Sequence, residues 1–238
     1  MVHADAASIP DHVTTKAQFY EHLQESVGAL LGGQRNWVSN LSNASSVIYA
    51  SLNRFPAWAG SADKSQPQKP VNWAGFYLLS PLFPGPTIPV KRPTLLLGPF
   101  CGLPACQQIQ SVPGRGVCAD ASSILPPRAL RVDDTEAYPG HIACDSASKS
   151  EIVIPLVVPR SRLSAQHQEA LKRSSATTNG SNADASGSDA VAWAGRGDGD
   201  DVIIGVLDID CEALEGFDEE DERGLTRLTQ IIADACDW

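Results

Sequence analysis

The sequence of 238 residues has few positive charges and few aromatic side chains: 18 Lys and Arg stand against 28 Asp and Glu, and aromatics make up 6%. Because binding to nucleic-acid phosphates requires clustered Lys and Arg, a net charge of -10 argues against DNA and RNA as partners. The sequence also has no apolar run near the ~20 residues that cross a bilayer, and no basic, apolar leader at its start. We therefore expect a cytoplasmic protein with no nucleic-acid and no membrane partner.

The cysteines form no Cys-x-x-Cys pair and the five histidines are scattered, so the sequence gives little support to a tetrahedral zinc site. We expect no metal and no bound cofactor. An even number of cysteines would indicate a disulfide framework in a small secreted domain, but cysteines kept in a reducing compartment are more often buried, metal-binding or catalytic. The six are Cys101, Cys106, Cys118, Cys144, Cys211 and Cys236.

Hydrophobic periodicity predicts helices at both ends of the chain and strands between them. Helical patterns cover residues 15–31 and 37–52, a short helix is expected near Gly116, and a last helix begins at Asp218. Strands are predicted at residues 71–79, 94–97, 129–132, 151–158 and 202–209. This order indicates an α/β chain of the α+β kind.

Three other segments have the composition of loops or tails. Residues 98–122 are rich in glycine and proline, so most of them are predicted to be loop. Residues 160–201 hold mainly small and polar side chains and are predicted to be a disordered insertion, because they cannot bury enough apolar surface to offset ordering entropy. With residues 1–15 as a tail, residues 16–238 would form one domain.

Three loop cysteines are candidates for thiol chemistry. A nucleophilic cysteine needs a stabilised thiolate and an open approach. Cys118 follows the glycine turn PGRGV, in which Arg115 brings positive charge, and Cys144 follows GHIA, which contains His141. Cys106 lies in a loop that could reach either. The alternative for each cysteine is a buried, apolar side chain without a chemical role. We favour this alternative for Cys211 and Cys236.

Three carboxylates are candidates for proton transfer. Asp208 and Asp210 are two apart at the end of an apolar strand and therefore point to the same face. Glu151 opens the neighbouring strand. If that face lines a cavity, desolvation and mutual repulsion would raise at least one pKa and supply a proton donor. The ordinary alternative is that these carboxylates are solvated or cap turns.

Five segments in this order resemble the free methionine-(R)-sulfoxide reductases, the catalytic GAF-domain family. They are VNWAGFYLL, LLLGPFCGLPAC, PGRGVC, GHIACDSASKSEIVIPLVV and IIGVLDIDCEALEGFDEED. The likeness covers the chain from about residue 16 to its end except residues 160–201. It implies a GAF domain with a central antiparallel sheet flanked by N- and C-terminal helices.

The resemblance also implies roles for the cysteines. Cys144 would attack the sulfoxide sulfur and become a sulfenic acid, Cys118 would resolve it as a disulfide, and Cys106 would take part in a second exchange. Thioredoxin would restore the thiols from outside. Cys101 and Cys211 are additional thiols near the site and leave the disulfide partner of Cys144 open.

The family's pocket residues correspond here to further positions. Glu151, Asp208 and Asp210 would protonate the departing oxygen and hold the substrate ammonium, without a fixed division between them. Trp73 and Tyr77 would pack on the methyl and thioether groups of free methionine-(R)-sulfoxide. The alternative is a non-catalytic GAF sensor that binds a small ligand. Dimerisation through the terminal helices is an additional property that the sequence leaves open.

Overall fold

A central antiparallel sheet of six strands organises the protein, whose computed structural model describes residues 3–55, 69–83, 93–141, 145–176 and 200–238. The strands are β1 (Val71–Leu79), β2 (Thr94–Gly102), β3 (Gln108–Gln110), β4 (Leu130–Val132), β5 (Ser150–Pro159) and β6 (Asp201–Cys211). They lie side by side in the order β3-β2-β1-β6-β5-β4. The sequence prediction of a central antiparallel sheet is confirmed.

Five helices accompany this sheet in the described part of the chain. They are α1 (Lys16–Leu31), α2 (Trp37–Arg54), α3 (Val117–Ala121), α4 (Ala165–Ala176) and α5 (Glu219–Asp234). Helix α2 packs against β1 and β2, α5 packs against β5, and α1 packs on α5. Short 3₁₀ turns occur at His3–Ala7, Ser80–Leu82 and Arg160–Arg162. No helix in the described ranges is long and apolar enough to cross a membrane.

The terminal helices are held together at their N-terminal ends. Thr15 caps α1 and Asp218 caps α5, each in a reciprocal capping box. Lys16 Nζ of α1 donates to Asp221 Oδ2 of α5 at 2.5 Å, and Tyr20 Oη donates to Asp221 Oδ1 at 2.9 Å. Because the Asp221 side chain is fully buried, these partners are needed to offset its desolvation. Helices α1 and α5, from the two ends of the chain, are thereby held side by side.

Strand β2 is longer than the sequence predicted, since it continues beyond Leu97 to Gly102. The prediction of loop from residue 98 was wrong for this part. Gly98 and Pro99 lie at a bulge, because Gly75 pairs with Phe100 while Tyr77 pairs with Leu97. A bulge tolerates a proline that cannot donate to the ladder. Residues 108–110 also pair, as β3, where loop was expected.

The start of the predicted insertion is folded, not disordered. Residues 160–162 form a 3₁₀ turn, α4 follows, and Leu163 and Leu171 are buried at 3% and 1% exposure. These two leucines bury apolar side chains from a segment that is otherwise mainly polar. The rest of the insertion, residues 177–199, lies outside the described residues. The predicted N-terminal tail also packs, because Ala6 and Val13 are buried.

Candidate active site

A cavity of about 320 Å³ lies between the sheet, helix α3 and the loop that joins β2 to β3. Seven of the residues proposed from the sequence line it: Trp73, Tyr77, Cys106, Cys118, Glu151, Asp208 and Asp210. Cys144 lies outside the described residues, so its role stays a prediction. The described residues closest to it in sequence, His141 and Asp145, both line the cavity.

The three carboxylates meet because of strand register. Glu151 of β5 is directly opposite Asp210 of β6, and Asp210 is in turn opposite Trp73 of β1. Asp208, two residues before Asp210, is on the same face of β6 and faces the same cavity. Trp73, Asp210 and Glu151 thus form one row across three strands, and Asp208 lies beside this row.

Burial changes the protonation of this carboxylate trio. Desolvation, followed by repulsion from Asp208 and Asp210, raises the pKa of Glu151 well above its ordinary value. Desolvation likewise raises the pKa of Asp210, with Asp208 adding to the effect. It raises the pKa of Asp208 to about 6, although hydrogen bonds act in the opposite direction. These shifts favour the protonated forms of Glu151 and Asp210, as a general acid requires, whereas a pKa of about 6 leaves Asp208 mostly ionised at neutral pH.

Several buried polar atoms around the cavity have no hydrogen-bond partner among the described residues. They are Glu151 Oε2, Asp208 Oδ1, Trp73 Nε1 and His141 Nε2. An unsatisfied buried polar atom costs about 1–3 kcal/mol, so a polar ligand that satisfied these atoms would recover part of that free energy. His141 Nδ1 lies 3.8 Å from Glu151 Oε2. Burial lowers the pKa of His141, which leaves the ring neutral at neutral pH.

Cys118 is the thiol in closest contact with the acids. Its Sγ lies 3.3 Å from Asp208 Oδ2 and 3.8 Å from Glu151 Oε1. Burial, followed by the charges of Asp208 and Glu151, raises the pKa of Cys118 well above its ordinary value. The sequence argument that Arg115 and the glycine turn would stabilise a thiolate was therefore wrong, because the acids lie against the sulfur. Cys118 is a protonated thiol with a base at contact distance.

The remaining described cysteines divide into one at the cavity and three away from it. Cys106 is half-buried in the β2–β3 loop, and its backbone carbonyl accepts a hydrogen bond from Tyr77 Oη at 2.9 Å. Cys101 and Cys211, which the sequence placed near the site, do not line the cavity. Cys211 directly follows Asp210 on β6, so strand alternation turns its side chain away, and Cys101 hydrogen-bonds with Ser46 of α2. Cys236 is buried near the C-terminus.

An aromatic wall closes one side of the cavity. The Trp73 ring stacks with the Tyr77 ring at 5.8 Å between centroids and with the Phe100 ring at 5.4 Å. Gly75 makes this possible, because a Cβ there would lie 2.3 Å from Phe100 Cβ and 2.5 Å from the Trp73 ring. The wall gives an apolar surface opposite polar groups, a combination typical of small-ligand sites.

The same cluster has a geometry that a metal ion could use. One ligand atom each from Cys118, Glu151 and Asp208 lies within 4.8 Å of the others. A thiolate with two carboxylates would suit a divalent ion such as zinc. The expectation from sequence that no metal is bound stays a prediction.

Comparison with known proteins identifies the family. The chain is 33% identical over 234 residues to a protein of Saccharomyces cerevisiae named free methionine-R-sulfoxide reductase, covering 98% of this chain and 94% of the relative. The chain belongs to the free methionine-R-sulfoxide reductase family. An Escherichia coli protein of the same name is 32% identical over 213 residues, which cover 90% of this chain and 86% of the relative. A scan against models of protein families gave no match.

Solved structures agree on the fold of this family member. A structure described as a GAF domain has a TM-score of 0.67 and 33% identity, with 100% of this chain and 98% of that chain covered. The X-ray structure of free methionine-R-sulfoxide reductase from Neisseria meningitidis, in complex with its substrate, has a TM-score of 0.60 and 27% identity. It covers 96% of this chain and 95% of that one. The protein has the GAF fold, as the sequence predicted.

The sequence did not single out several residues of this reductase-family cavity. Asp145 and Ser148 line it, and both accept hydrogen bonds from Asn72 Nδ2, at 3.1 and 2.8 Å. Gln108 and Gln110 line it from β3. Asp145 could have been found because it follows Cys144 directly. The glutamines gave no signal, since they lie in a segment predicted to be loop.

Proposed function

We propose that the protein reduces free methionine-(R)-sulfoxide to methionine and that thioredoxin regenerates its thiols. The observation that supports this most is the convergence of Cys118, three acids and an aromatic wall on one small cavity, in a chain of the free methionine-R-sulfoxide reductase family. A thiol, a proton donor and an apolar surface are the three things that reduction of a methyl sulfoxide requires.

The first step is attack of Cys144 Sγ on the sulfoxide sulfur. A carboxylic acid of the trio, which we assign to Glu151, gives its proton to the sulfoxide oxygen and makes the sulfur more electrophilic. The protonated oxygen then moves as hydroxyl from the methionine sulfur to Cys144 Sγ: the sulfoxide sulfur–oxygen bond and the transient sulfur–sulfur bond break, and a sulfur–oxygen bond forms on Cys144. Methionine leaves, Cys144 is a sulfenic acid, and the proton of the Cys144 thiol replaces the one that Glu151 gave up. Cysteine is oxidised by two electrons and the sulfoxide is reduced by two. The raised pKa of Glu151 supports this role because it favours the protonated acid.

The second step is resolution of the sulfenic acid by Cys118. Asp208 Oδ2, 3.3 Å from Cys118 Sγ, takes the thiol proton as the sulfur attacks Cys144 Sγ. The sulfenic oxygen leaves with two protons as water, and a Cys118–Cys144 disulfide forms. The raised pKa of Asp208 makes it a better proton acceptor than an ordinary carboxylate, and it lies at the thiol that must lose its proton.

The third step moves the disulfide towards the surface. Cys106 lines the same cavity and is more exposed than Cys118, so its thiolate attacks Cys118 and releases Cys144. The dithiol of thioredoxin then reduces the Cys106–Cys118 disulfide and becomes a disulfide itself. A thioredoxin supply implies a reducing compartment, and we propose that this is the cytoplasm.

Substrate recognition follows from the two sides of the cavity. The methyl and thioether groups pack on Trp73 and Tyr77, and an ionised acid of the trio holds the ammonium group. A cavity of about 320 Å³ accommodates one amino acid. We propose that this size favours the free sulfoxide over one within a longer peptide.

The test is NADPH consumption with thioredoxin and thioredoxin reductase on addition of free methionine-(R)-sulfoxide. We expect steady turnover with the (R) epimer, little with the (S) epimer and none with Cys144→Ser. Cys118→Ser should release one methionine per protein molecule and then stop. Binding of the sulfoxide without NADPH consumption would instead support a non-catalytic GAF sensor, and activity of Cys144→Ser would refute the assigned nucleophile.

A further inference from the structure

Arg115 stands alone as a strong cation at the cavity. Among the described residues that line it, Arg115 is the single Lys or Arg, and its side chain is exposed at the mouth. The other basic side chain in the lining is His141, a neutral ring at neutral pH. The positive charge of the site is therefore concentrated at one position.

The rest of the lining is strongly acidic. Besides the carboxylate trio, Asp145 also lines the cavity. An amino-acid zwitterion brings a carboxylate into these surroundings along with its ammonium group. The ammonium group is attracted by the acids, but the carboxylate is repelled by them unless a cation lies next to it. A cation next to the carboxylate would offset the repulsion from those acids that are ionised.

Arg115 is available for this purpose as far as the described part of the chain shows. Its guanidinium has no hydrogen-bond or ion-pair partner among the described residues. The acid nearest in sequence, Asp120, is occupied: Oδ1 accepts from the Gly114 backbone N–H at 2.6 Å, and Oδ2 accepts from Tyr138 Oη at 2.7 Å. In the described part of the chain, Arg115 therefore forms no salt bridge that would compete with a ligand.

The turn that carries Arg115 is also fixed in place. Gly114 and Gly116 have positive φ angles of 78° and 105°, which favour glycine. The turn packs on Gly140, where a Cβ would lie 2.4 Å from the Gly114 carbonyl oxygen. With the Asp120 bonds, these contacts hold the backbone on both sides of Arg115. A preset backbone reduces the entropy lost when the side chain binds a ligand.

We propose that Arg115 binds the α-carboxylate of the substrate and so makes the site specific for free amino acids. This inference rests on the proposed function and deepens it. The guanidinium offers a planar pair of N–H donors that matches a carboxylate, whereas an amide or a peptide carbonyl offers no negative charge to it. Specificity for the free substrate then has an electrostatic cause in addition to the size of the cavity.

The test compares two substrates in two proteins. Methionine-(R)-sulfoxide and its carboxamide have nearly the same size, but the carboxamide has no negative charge. In the wild-type protein the carboxamide should have the higher KM. Arg115→Ala should raise KM for the free sulfoxide by about 10- to 100-fold, the usual range for loss of a charge-assisted hydrogen bond. It should leave KM for the carboxamide nearly unchanged, and kcat should change little for either.

Arg128→Ala is the matched control, because Arg128 is exposed and does not line the cavity. It should leave both KM values unchanged, and Arg115→Lys should recover part of the loss. Equal effects of Arg115→Ala on the two substrates, or no effect on either, would overturn the inference. Calorimetric binding of both compounds to the same proteins gives the same comparison without turnover. If the wild-type protein binds the free sulfoxide and the carboxamide equally and reduces neither, this inference and the proposed activity are both overturned. If it binds the free sulfoxide selectively, in a way that depends on Arg115, but does not reduce it, the activity alone is overturned.

Discussion

The Sγ atom of Cys118 lies 3.3 Å from Asp208 Oδ2, and both atoms are buried at the edge of the cavity. Burial raises the pKa of Cys118, and the charge of Asp208, to which the thiol donates, raises it further. The same carboxylate is placed to remove the thiol proton. Asp208 thus disfavours the thiolate of Cys118 in the resting protein, but it assists the attack of Cys118 by accepting the thiol proton. This relationship leads to the first two predictions.

Asp208→Asn should slow resolution of the sulfenic acid by about 100-fold, because an amide cannot accept the Cys118 proton as a base. The measurement is rapid quenching after one equivalent of sulfoxide, with the Cys118–Cys144 disulfide quantified by mass spectrometry. Methionine release, measured in the same samples, separates this step from the first one. Equal slowing of both steps would contradict the specific role of Asp208 as the base for Cys118.

Asp208→Asn should also stabilise the protein at pH 8 but not at pH 4. The folded pKa of Asp208, about 6, is above its ordinary value of 3.8, so ionisation disfavours folding. Below pH 4 both states are protonated and the residue costs nothing. As the pH rises from 4 to 6, only the unfolded state ionises freely, and stability is lost. The gain at pH 8 should reach about 3 kcal/mol at most.

Urea denaturation at the two pH values measures this difference. Asp11→Asn is the control, because Asp11 is exposed and an exposed carboxylate should change stability by less than about 0.5 kcal/mol. An Asp208→Asn gain of equal size at pH 4 and pH 8 would show that the effect is not due to the charge.

Gly75→Ala should disrupt the aromatic wall. The added Cβ would lie 2.3 Å from Phe100 Cβ and 2.5 Å from the Trp73 ring, so one of the rings must move. We expect a loss of about 1–3 kcal/mol in stability from overpacking, and a higher KM because the Trp73 ring lines the cavity. Denaturation and steady-state kinetics check the two effects.

Gly28→Ala is the matched substitution in helix α1. Its Cβ would meet no atom closer than Ile231 Cγ2 at 3.8 Å, an ordinary contact. Because alanine is the better helix former, this variant should be more stable by about 1 kcal/mol with unchanged KM. Similar behaviour of the two variants would count against a steric role for Gly75.

Leu171→Ala should destabilise the protein by about 3 kcal/mol, because Leu171 of α4 is 1% exposed and its removal leaves a cavity. Thermal or urea denaturation measures the change. Leu214→Ala, at a leucine that is 53% exposed, should have little effect. If Leu171→Ala also had none, α4 would not be packed and the sequence prediction of disorder from residue 160 would be right after all.

The predictable parts of the fold were those with strong local patterns. Strand β1 has the bounds that its run of apolar residues predicted, and α1 begins after the Thr15 cap. The end of β2 could not be predicted, because Gly98 and Pro99 indicate a loop unless a bulge against β1 accommodates them. Helix α4 was missed for a similar reason: burial of Leu163 and Leu171 depends on partners distant in sequence.

For the site, the sequence alone determined which chemical groups are present and that Asp208 and Asp210 share a face, since strand geometry alternates every second residue. Only the tertiary structure decided that Glu151 lies opposite Asp210, that Asp208 contacts Cys118, and that Arg115, at the cavity, has no partner among the described residues. The protonation of Cys118 depends on these contacts. Local sequence predicted a thiolate, but desolvation and facing charges are properties of the packed molecule, and they reverse that prediction.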